Sequence, residues 1–411
     1  MSALSSSTAT DAGAGAALGM LAGVLACYAF AALGWVGLPA QAAFIAVLGC
    51  AAWALSALRD ARAAWMLGVI GVLLVLALGS PSDGWDPRSI WLFHARRIFL
   101  DGSLYTQLDG YAPFSHNDYP ALVPVWMATA AKVVGHWNEI FPKAAATLLL
   151  LPALLLIARS LRTWWVAGLF AVALLKVGGS YLVDGYMDAL LAVYAVAALA
   201  AGMRAARAPV SGSGWFDLAA YAAVSAILCL IKNEGVVLAV IVAVGVVAVT
   251  LLRERRMAWG IPAAFALSLL PLLAWKLAVS AAHLSNDLAA SDLSGQLMAR
   301  LPDLAQSMLI VQKLLRGIFW VPLALMLVLW SRTWRTPVAL AGLGVAVAYA
   351  CVLYAVYLGT PHDLEWHLAT SARRTVLPVL LLLMYALLVM VDQWNPAASR
   401  VAAGERNEQG S

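Results

Sequence analysis

The residues able to do chemistry lie in short polar stretches between long apolar runs. The longest stretch runs from Gly79 to Pro120, GSPSDGWDPRSIWLFHARRIFLDGSLYTQLDGYAPFSHNDYP. Asp83 and Asp86 stand just past an apolar run, followed by Trp85, Trp91, His94, Arg96 and Arg97. A carboxylate at the edge of apolar surface suits a general base, which makes Asp86 the first catalytic candidate and Asp83 its alternative. His94 and Arg97 are three apart and share a face if 88–100 is a helix along the membrane surface. They read as substrate contacts or as interfacial anchors. His116, Asp118 and Tyr119 close the stretch before Pro120, with Pro124 one turn later. Prolines at a helix start fix the chain direction and give up an N–H that would be unpaired anyway. This segment is therefore either a structural turn or a site for substrate or metal.

Three further stretches carry the remaining candidates. Asp184 and Asp188, at i and i+4, share one face at a helix N-terminus, where the helix dipole also favours negative charge without any ligand. Lys232 and Glu234 lie in LIKNEGVV at the tip of a helical hairpin. Charges at this depth must pair or meet a polar ligand, so the alternatives are a Lys232–Glu234 pair or a phosphate contact by Lys232, assisted by Lys176. The last stretch, Pro361 to Pro378, holds His362, Asp363, Glu365, His367, Ser371, Arg373 and Arg374. Its arginines either snorkel toward the interface or grip an anionic, oxygen-rich ligand, since the guanidinium fork matches phosphate.

The elements that must position these groups are membrane helices. The 411 residues are 63% hydrophobic and 11% charged, against roughly 45–50% and 25% in soluble domains. A span needs about 20 mostly apolar residues. That rule predicts an all-α polytopic protein with about twelve transmembrane helices, near 14–34, 40–58, 64–80, 140–158, 164–182, 187–206, 216–231, 233–252, 258–279, 309–330, 337–357 and 375–392. Residues 1–392 are expected to form one transmembrane domain, with 80–136 an outer catalytic loop containing interfacial helices. Residues 393–411 read as a short disordered cytoplasmic tail. The formal charge of +5 comes from scattered arginine pairs beside apolar runs, the pattern of topology signals, so nucleic acid is not an expected partner. Cys27, Cys50, Cys229 and Cys351 show no metal or disulfide spacing. The first fifteen residues lack Lys and Arg, so the first apolar run is expected to remain as a helix.

With the N-terminus inside, every inner turn is basic: Arg59 and Arg62, Arg159 and Arg162, Arg204 and Arg207, Arg253 to Arg256, Arg332 and Arg335. The outer segments then hold all the candidates above. This sorting requires 121–136 to lie in the interface rather than span, and it places both termini in the cytoplasm. Residues 280–308 look amphipathic and fit a lid over the outer face.

Taken in order, WDPRSIWLFHAR, DYPALVP, YMDALL, KNEG and DLEWHLATSARR resemble the GT-C superfamily of polytopic glycosyltransferases, nearest the bacterial protein O-mannosyltransferase and aminoarabinose transferase group. The resemblance implies a bacterial inner-membrane enzyme that moves a sugar from a polyprenyl-phosphate donor to a hydroxyl of a glycan, lipid or protein, on the extracytoplasmic face. It implies that Asp86 is the catalytic aspartate, that Lys232, Arg373 and Arg374 surround the lipid phosphate, and that His367 lies near donor or acceptor. Three predicted helices before the catalytic loop depart from the single helix of many relatives. No cofactor is expected. The alternative is a divalent Mg or Mn ion, because Asp86, Asp184, Asp188, His362 and His367 all fall on one side. The rival function is a transporter or flippase of a lipid-linked or anionic substrate, whose charges would instead line a route near the midplane.

Overall fold

In a bilayer every backbone polar group must be satisfied within the chain, so long apolar runs become helices. The computed structural model describes residues 2–106, 108, 112–208, 213–284, 293–315 and 320–394, and these contain helices and no strand. The first helices are α1 (Ser2–Ala32), α2 (Leu38–Ala54) and α3 (Ala61–Gly79), then α4 (Leu92–Asp101) and α5 (Leu122–Val134). Next come α6 (Ile140–Leu148), α7 (Leu150–Ser160), α8 (Trp164–Gly178), α9 (Asp188–Ala205), α10 (Ser213–Ile231) and α11 (Asn233–Glu254). The chain continues through α12 (Gly260–Ser268), α13 (Leu270–Ala281), α14 (Leu293–Arg300), α15 (Leu304–Leu314), α16 (Trp320–Val328) and α17 (Trp330–Arg335). It closes with α18 (Pro337–Leu358), α19 (Leu364–Thr375) and α20 (Leu377–Asp392).

Eleven helical stretches among the described residues are long and apolar enough to cross a membrane, as a multi-pass membrane protein requires. Three of them contain a break placed by proline. Pro152, Pro271 and Pro378 each lack the N–H that the carbonyl four residues earlier would accept, and the helix is interrupted in between, at Leu149, Leu269 and Val376. The twelfth expected span, 309–330, is not one helix in its described part. It comprises the end of α15 and then α16, with 316–319 outside the described residues, and Leu329 separates α16 from α17. The expected lid is likewise represented by α14 and α15, with 285–292 outside the description, and most of the predicted tail, from 395, is also outside it.

The expected helix in 121–136 forms, as α5, and Leu122 to Ala131 are all buried against protein. At 13 residues it is too short to span. Its apolar character comes from enclosure by protein, and Trp126 donates its indole N–H to the Ala145 carbonyl of α6 at 2.7 Å.

The centre of the bundle is α9, where every residue from Asp188 to Met203 is buried. Its sequence, DALLAVYAVAALAAGMRA, is rich in small side chains, which let neighbouring helices approach closely. The contacts sort the polar residues to two ends. At one end Arg159 and Arg204 meet Asp217, Arg207 and Arg256 meet Glu254, and Arg62 pairs with Asp60 and donates to the Leu161 carbonyl at 2.7 Å. Asp392 accepts there from the N–H of Thr163 at 3.1 Å. The other end holds Asp86, Asp118, Asp188, Lys232 and Arg374.

The α10–α11 hairpin has only Lys232 between its helices, with extended backbone. A Cβ at Gly235 would stand 1.9 Å from the Leu228 carbonyl oxygen, so only glycine permits this turn. Gly235→Ala is expected to lower stability by roughly 1–3 kcal/mol. Gly71→Ala, where an added Cβ meets nothing within 4 Å, should leave it unchanged or slightly higher. Thermal unfolding of both purified variants in detergent checks the contrast.

Candidate functional site

At the polar end, five charged groups from four elements form a continuous chain. Asp86 meets the Arg374 guanidinium, and Arg374 Nη1 also lies 3.2 Å from Asp188 Oδ2. The other oxygen of Asp188 accepts from Lys232 Nζ at 3.2 Å, and Lys232 reaches Glu234 Oε1, also at 3.2 Å. The side chains of Asp188 and Lys232 are only 3% and 5% exposed, Asp86 and Arg374 12% and 17%. Charges this enclosed persist only when paired. Three carboxylates face two cations here, and Glu234 Oε2 is buried without a hydrogen-bond partner among the described residues.

Local sequence explains each placement. Asp86 precedes Pro87, which opens the wide helical turn Pro87–Trp91 leading into α4. Asp188 is the first residue of the enclosed α9, where its charge also complements the helix dipole. Gly235 sets the hairpin that projects Lys232. Arg374 lies in the last turn of α19, just before the break that Pro378 causes. Gly84 is packed so tightly under the Tyr186 ring that a Cβ there would sit 2.5 Å from it, and the Arg374 guanidinium lies 5.4 Å from that ring's centroid.

A second ion pair, Asp118 and Lys276 at 3.9 Å, adjoins the chain of charges through Asn233. Asp118 accepts from Asn233 Nδ2 at 2.6 Å, and Asn233 Oδ1 accepts from Lys276 Nζ at 2.8 Å. The Asp118 carbonyl receives Trp275 Nε1 at 3.1 Å and Lys276 Nζ at 3.2 Å. His116 adopts a left-handed backbone with φ 53° and stacks on Tyr119 at 4.8 Å. Tyr119 in turn lies against Trp91 and presents its ring 5.8 Å from Lys232 Nζ. The HNDYP segment is thus a turn with a defined geometry, and that geometry sets Tyr119 and Asp118 beside the charged chain.

The sequence candidates therefore divide. Asp86, Asp188, Lys232, Glu234 and Arg374 are brought together, with Asp118, Tyr119 and His116 adjoining. Asp83 and Arg373 are exposed and touch none of the five. Arg97 pairs with Asp101 along α4 at 3.5 Å. His94 is buried inside the loop, 3.2 Å from Ser115 Oγ, where it ties α4 to the 113–115 turn. Burial lowers its pKa to about 4, against the hydrogen bond to Asn117. Asp184 accepts from the Tyr186 N–H at 3.3 Å, and burial raises its pKa, opposed by that bond, by Ser180 and by Lys143. His367 hydrogen-bonds Thr360 Oγ1 at 2.7 Å and packs on Tyr357, whose hydroxyl meets Ser371 and Thr375. Among the described residues no three of His, Cys, Asp and Glu converge in a way that could hold a metal, so Asp86, Asp184, Asp188, His362 and His367 do not form one site.

Lys276 and Lys143 escaped the sequence reading. Each is a lone lysine in an apolar run, WKLAVS and PKAAAT, and a charge in such a run is itself the signal that could have revealed them. Lys143 is buried and caps the Ser80 and Pro81 carbonyls at the end of α3. Compared with protein families, curated proteins and solved structures, the chain matches none.

Removing Arg374 would leave Asp86 and Asp188 facing each other without their shared cation. Arg374→Gln is expected to destabilise by roughly 3–5 kcal/mol, and Arg374→Lys to recover only part of it, because an ammonium lacks the fork that bridges two carboxylates. Unfolding midpoints in detergent measure both. His94 supplies a pH test. Unfolded, it takes up a proton below pH 6.5, but folded only below about 4. Its burial therefore favours the fold fully above pH 6.5, and roughly 3 kcal/mol is lost as pH falls from 6.5 to 4. His94→Gln should flatten that part of the stability–pH curve.

Proposed function

We propose that this protein is a GT-C-like membrane glycosyltransferase that moves a sugar from a polyprenyl-phosphate donor to a hydroxyl acceptor on the extracytoplasmic face of a bacterial inner membrane. The observation that carries this reading is the buried chain Asp86–Arg374–Asp188–Lys232–Glu234, gathered at one end of the bundle beneath the longest polar loop. It combines a partly accessible carboxylate with two cations in a water-poor setting, the components that transfer from a phosphate leaving group needs. The arginine-rich opposite end is, on this reading, the cytoplasmic one.

Asp86 takes the acceptor hydroxyl's proton while that oxygen bonds to the anomeric carbon. The bond from that carbon to the phosphate oxygen breaks, and its electron pair leaves with the polyprenyl phosphate. Attack opposite the leaving group inverts the anomeric configuration. The anionic charge growing on the leaving phosphate is met by Arg374 and Lys232. Arg374, rather than the exposed Arg373, takes the role of phosphate ligand, because its guanidinium is the one beside Asp86. With carboxylates already in excess, a donor phosphate must compete with Asp86 for Arg374. Donor binding then releases Asp86 to face the acceptor, which links loading of the donor to the availability of the base.

Asp86→Asn separates binding from chemistry. Transfer from a radiolabelled polyprenyl-phosphate sugar should fall by roughly 10²–10⁴-fold, the usual contribution of a general base. Donor affinity should hold or increase, because Asn competes less for Arg374. Correctly inserted Asp86→Asn protein that transfers at the wild-type rate would remove Asp86 from the base role. Wild-type protein that moves the labelled lipid between leaflets without transferring its sugar would establish the transporter instead.

A further inference from the structure

The segment that buries Asp86 leaves its neighbours Asp83 and Arg88 outside, and these help line a separate groove of about 430 Å³ between the end of α3 and the start of α6. None of the five network residues borders it. Its polar lining is Ser80, Ser82, Asp83, Arg88, Glu139 and Lys143, and Leu78, Pro81 and Ile140 supply apolar wall. Four features describe what would fit. The Ser82 hydroxyl is buried, its residue only 7% exposed, and has no hydrogen-bond partner among the described residues. Arg88 and Glu139 stand 3.9 Å apart with side chains 61% and 44% exposed, a loose pair that a ligand can exchange at little cost. Lys143 donates to Ser80 and Pro81 and keeps its charge, so the groove sets two cations, a buried Lys143 and an exposed Arg88, against the carboxylates of Asp83 and Glu139. Below the groove, α3 exposes Val72, Val75, Leu76 and Leu78, and α6 exposes Ile140 and Phe141.

We propose that this groove binds the headgroup of a zwitterionic phospholipid, its phosphate at Arg88 and the Ser82 hydroxyl, its ammonium between Asp83 and Glu139, and its acyl chains along the exposed face of α3. Charge complementarity selects this occupant. With two cations and two carboxylates in the lining, a headgroup carrying one charge of each sign preserves the balance, an anionic headgroup adds uncompensated negative charge, and an uncharged amphiphile has no charge to pair with Arg88 or the carboxylates. A primary ammonium can also donate to both carboxylates at once. The apolar path along α3 gives the chains the same contact that the bilayer would. The site is independent of the sugar-transfer reaction proposed above.

The test is the unfolding midpoint of the full-length protein in a neutral detergent, titrated with dioctanoyl phosphatidylethanolamine, dioctanoyl phosphatidylglycerol or dioctanoylglycerol. The ethanolamine lipid should raise the midpoint saturably, with the glycerol phospholipid at least roughly tenfold weaker and the diacylglycerol without effect. Arg88→Glu, and separately the double variant Asp83→Asn with Glu139→Gln, should each abolish the selectivity. Asp83 and Arg88 are exposed and the Glu139 side chain is 44% exposed, so lipid-free midpoints should match the parent. Equal titration by the two phospholipids, or ethanolamine selectivity that survives both variants, overturns the proposal.

Discussion

A carboxylate at the head of the most enclosed helix governs the polar end of this protein. Asp188 begins α9, whose residues are buried through Met203, so its charge has no route to water. Both oxygens must be answered by protein, and Arg374 takes one and Lys232 the other. Each cation is buried enough to need more negative charge, which Asp86 and Glu234 supply. One desolvated group thus recruits the first long loop, the α10–α11 turn and the end of α19 to a single point. Such a network is not a general source of stability, because desolvating the ions offsets much of their attraction. Its physical effect is positional: no member can move without exposing a partner.

The same logic operates, with a different result, at the opposite end. There Asp217, Glu254, Asp60 and Asp392 are each met by arginines or by backbone N–H groups, but most of those arginines are part-exposed. Exposed guanidinium groups remain hydrated and can be replaced by water, so these pairs anchor helix ends loosely. The two ends differ less in the residue types they use than in how much water reaches them. Between them, proline breaks in α6–α7, α12–α13 and α19–α20 are tolerated because neighbouring helices and side chains satisfy nearby backbone groups, as when the Tyr194 hydroxyl donates to the Leu149 carbonyl.

Where the sequence leaves a choice open, the reason is enclosure. Residues 121–136 are apolar enough for an interfacial helix, and in α5 Leu122 to Ala131 are buried against protein. Periodicity and composition report that a segment avoids water without reporting whether lipid or protein replaces it. His94 follows the same pattern. As a histidine in a polar loop it has the signature of a ligand contact, but its ring is a strut under that loop. Arg373 and Arg374 are adjacent and chemically identical, and only the helical phase of α19 turns one to the surface and the other to Asp86.

The amino-acid sequence alone determined that the chain is helical and crosses a membrane many times, since nothing but helix satisfies the backbone over such long apolar runs. It also marked Asp86, Asp188, Lys232, Glu234 and Arg374 as anomalies, because ionised groups beside those runs are costly and must be compensated. Which of them compensate one another was decided only by tertiary structure. Asp86 and Arg374 are 288 positions apart, and their contact depends on the packing of every helix between them. Lys276 likewise acquires its role from the three-dimensional approach of α13 to Asn233 and Asp118. Pair formation between buried charges is a property of distance and desolvation, and neither quantity is local to the chain.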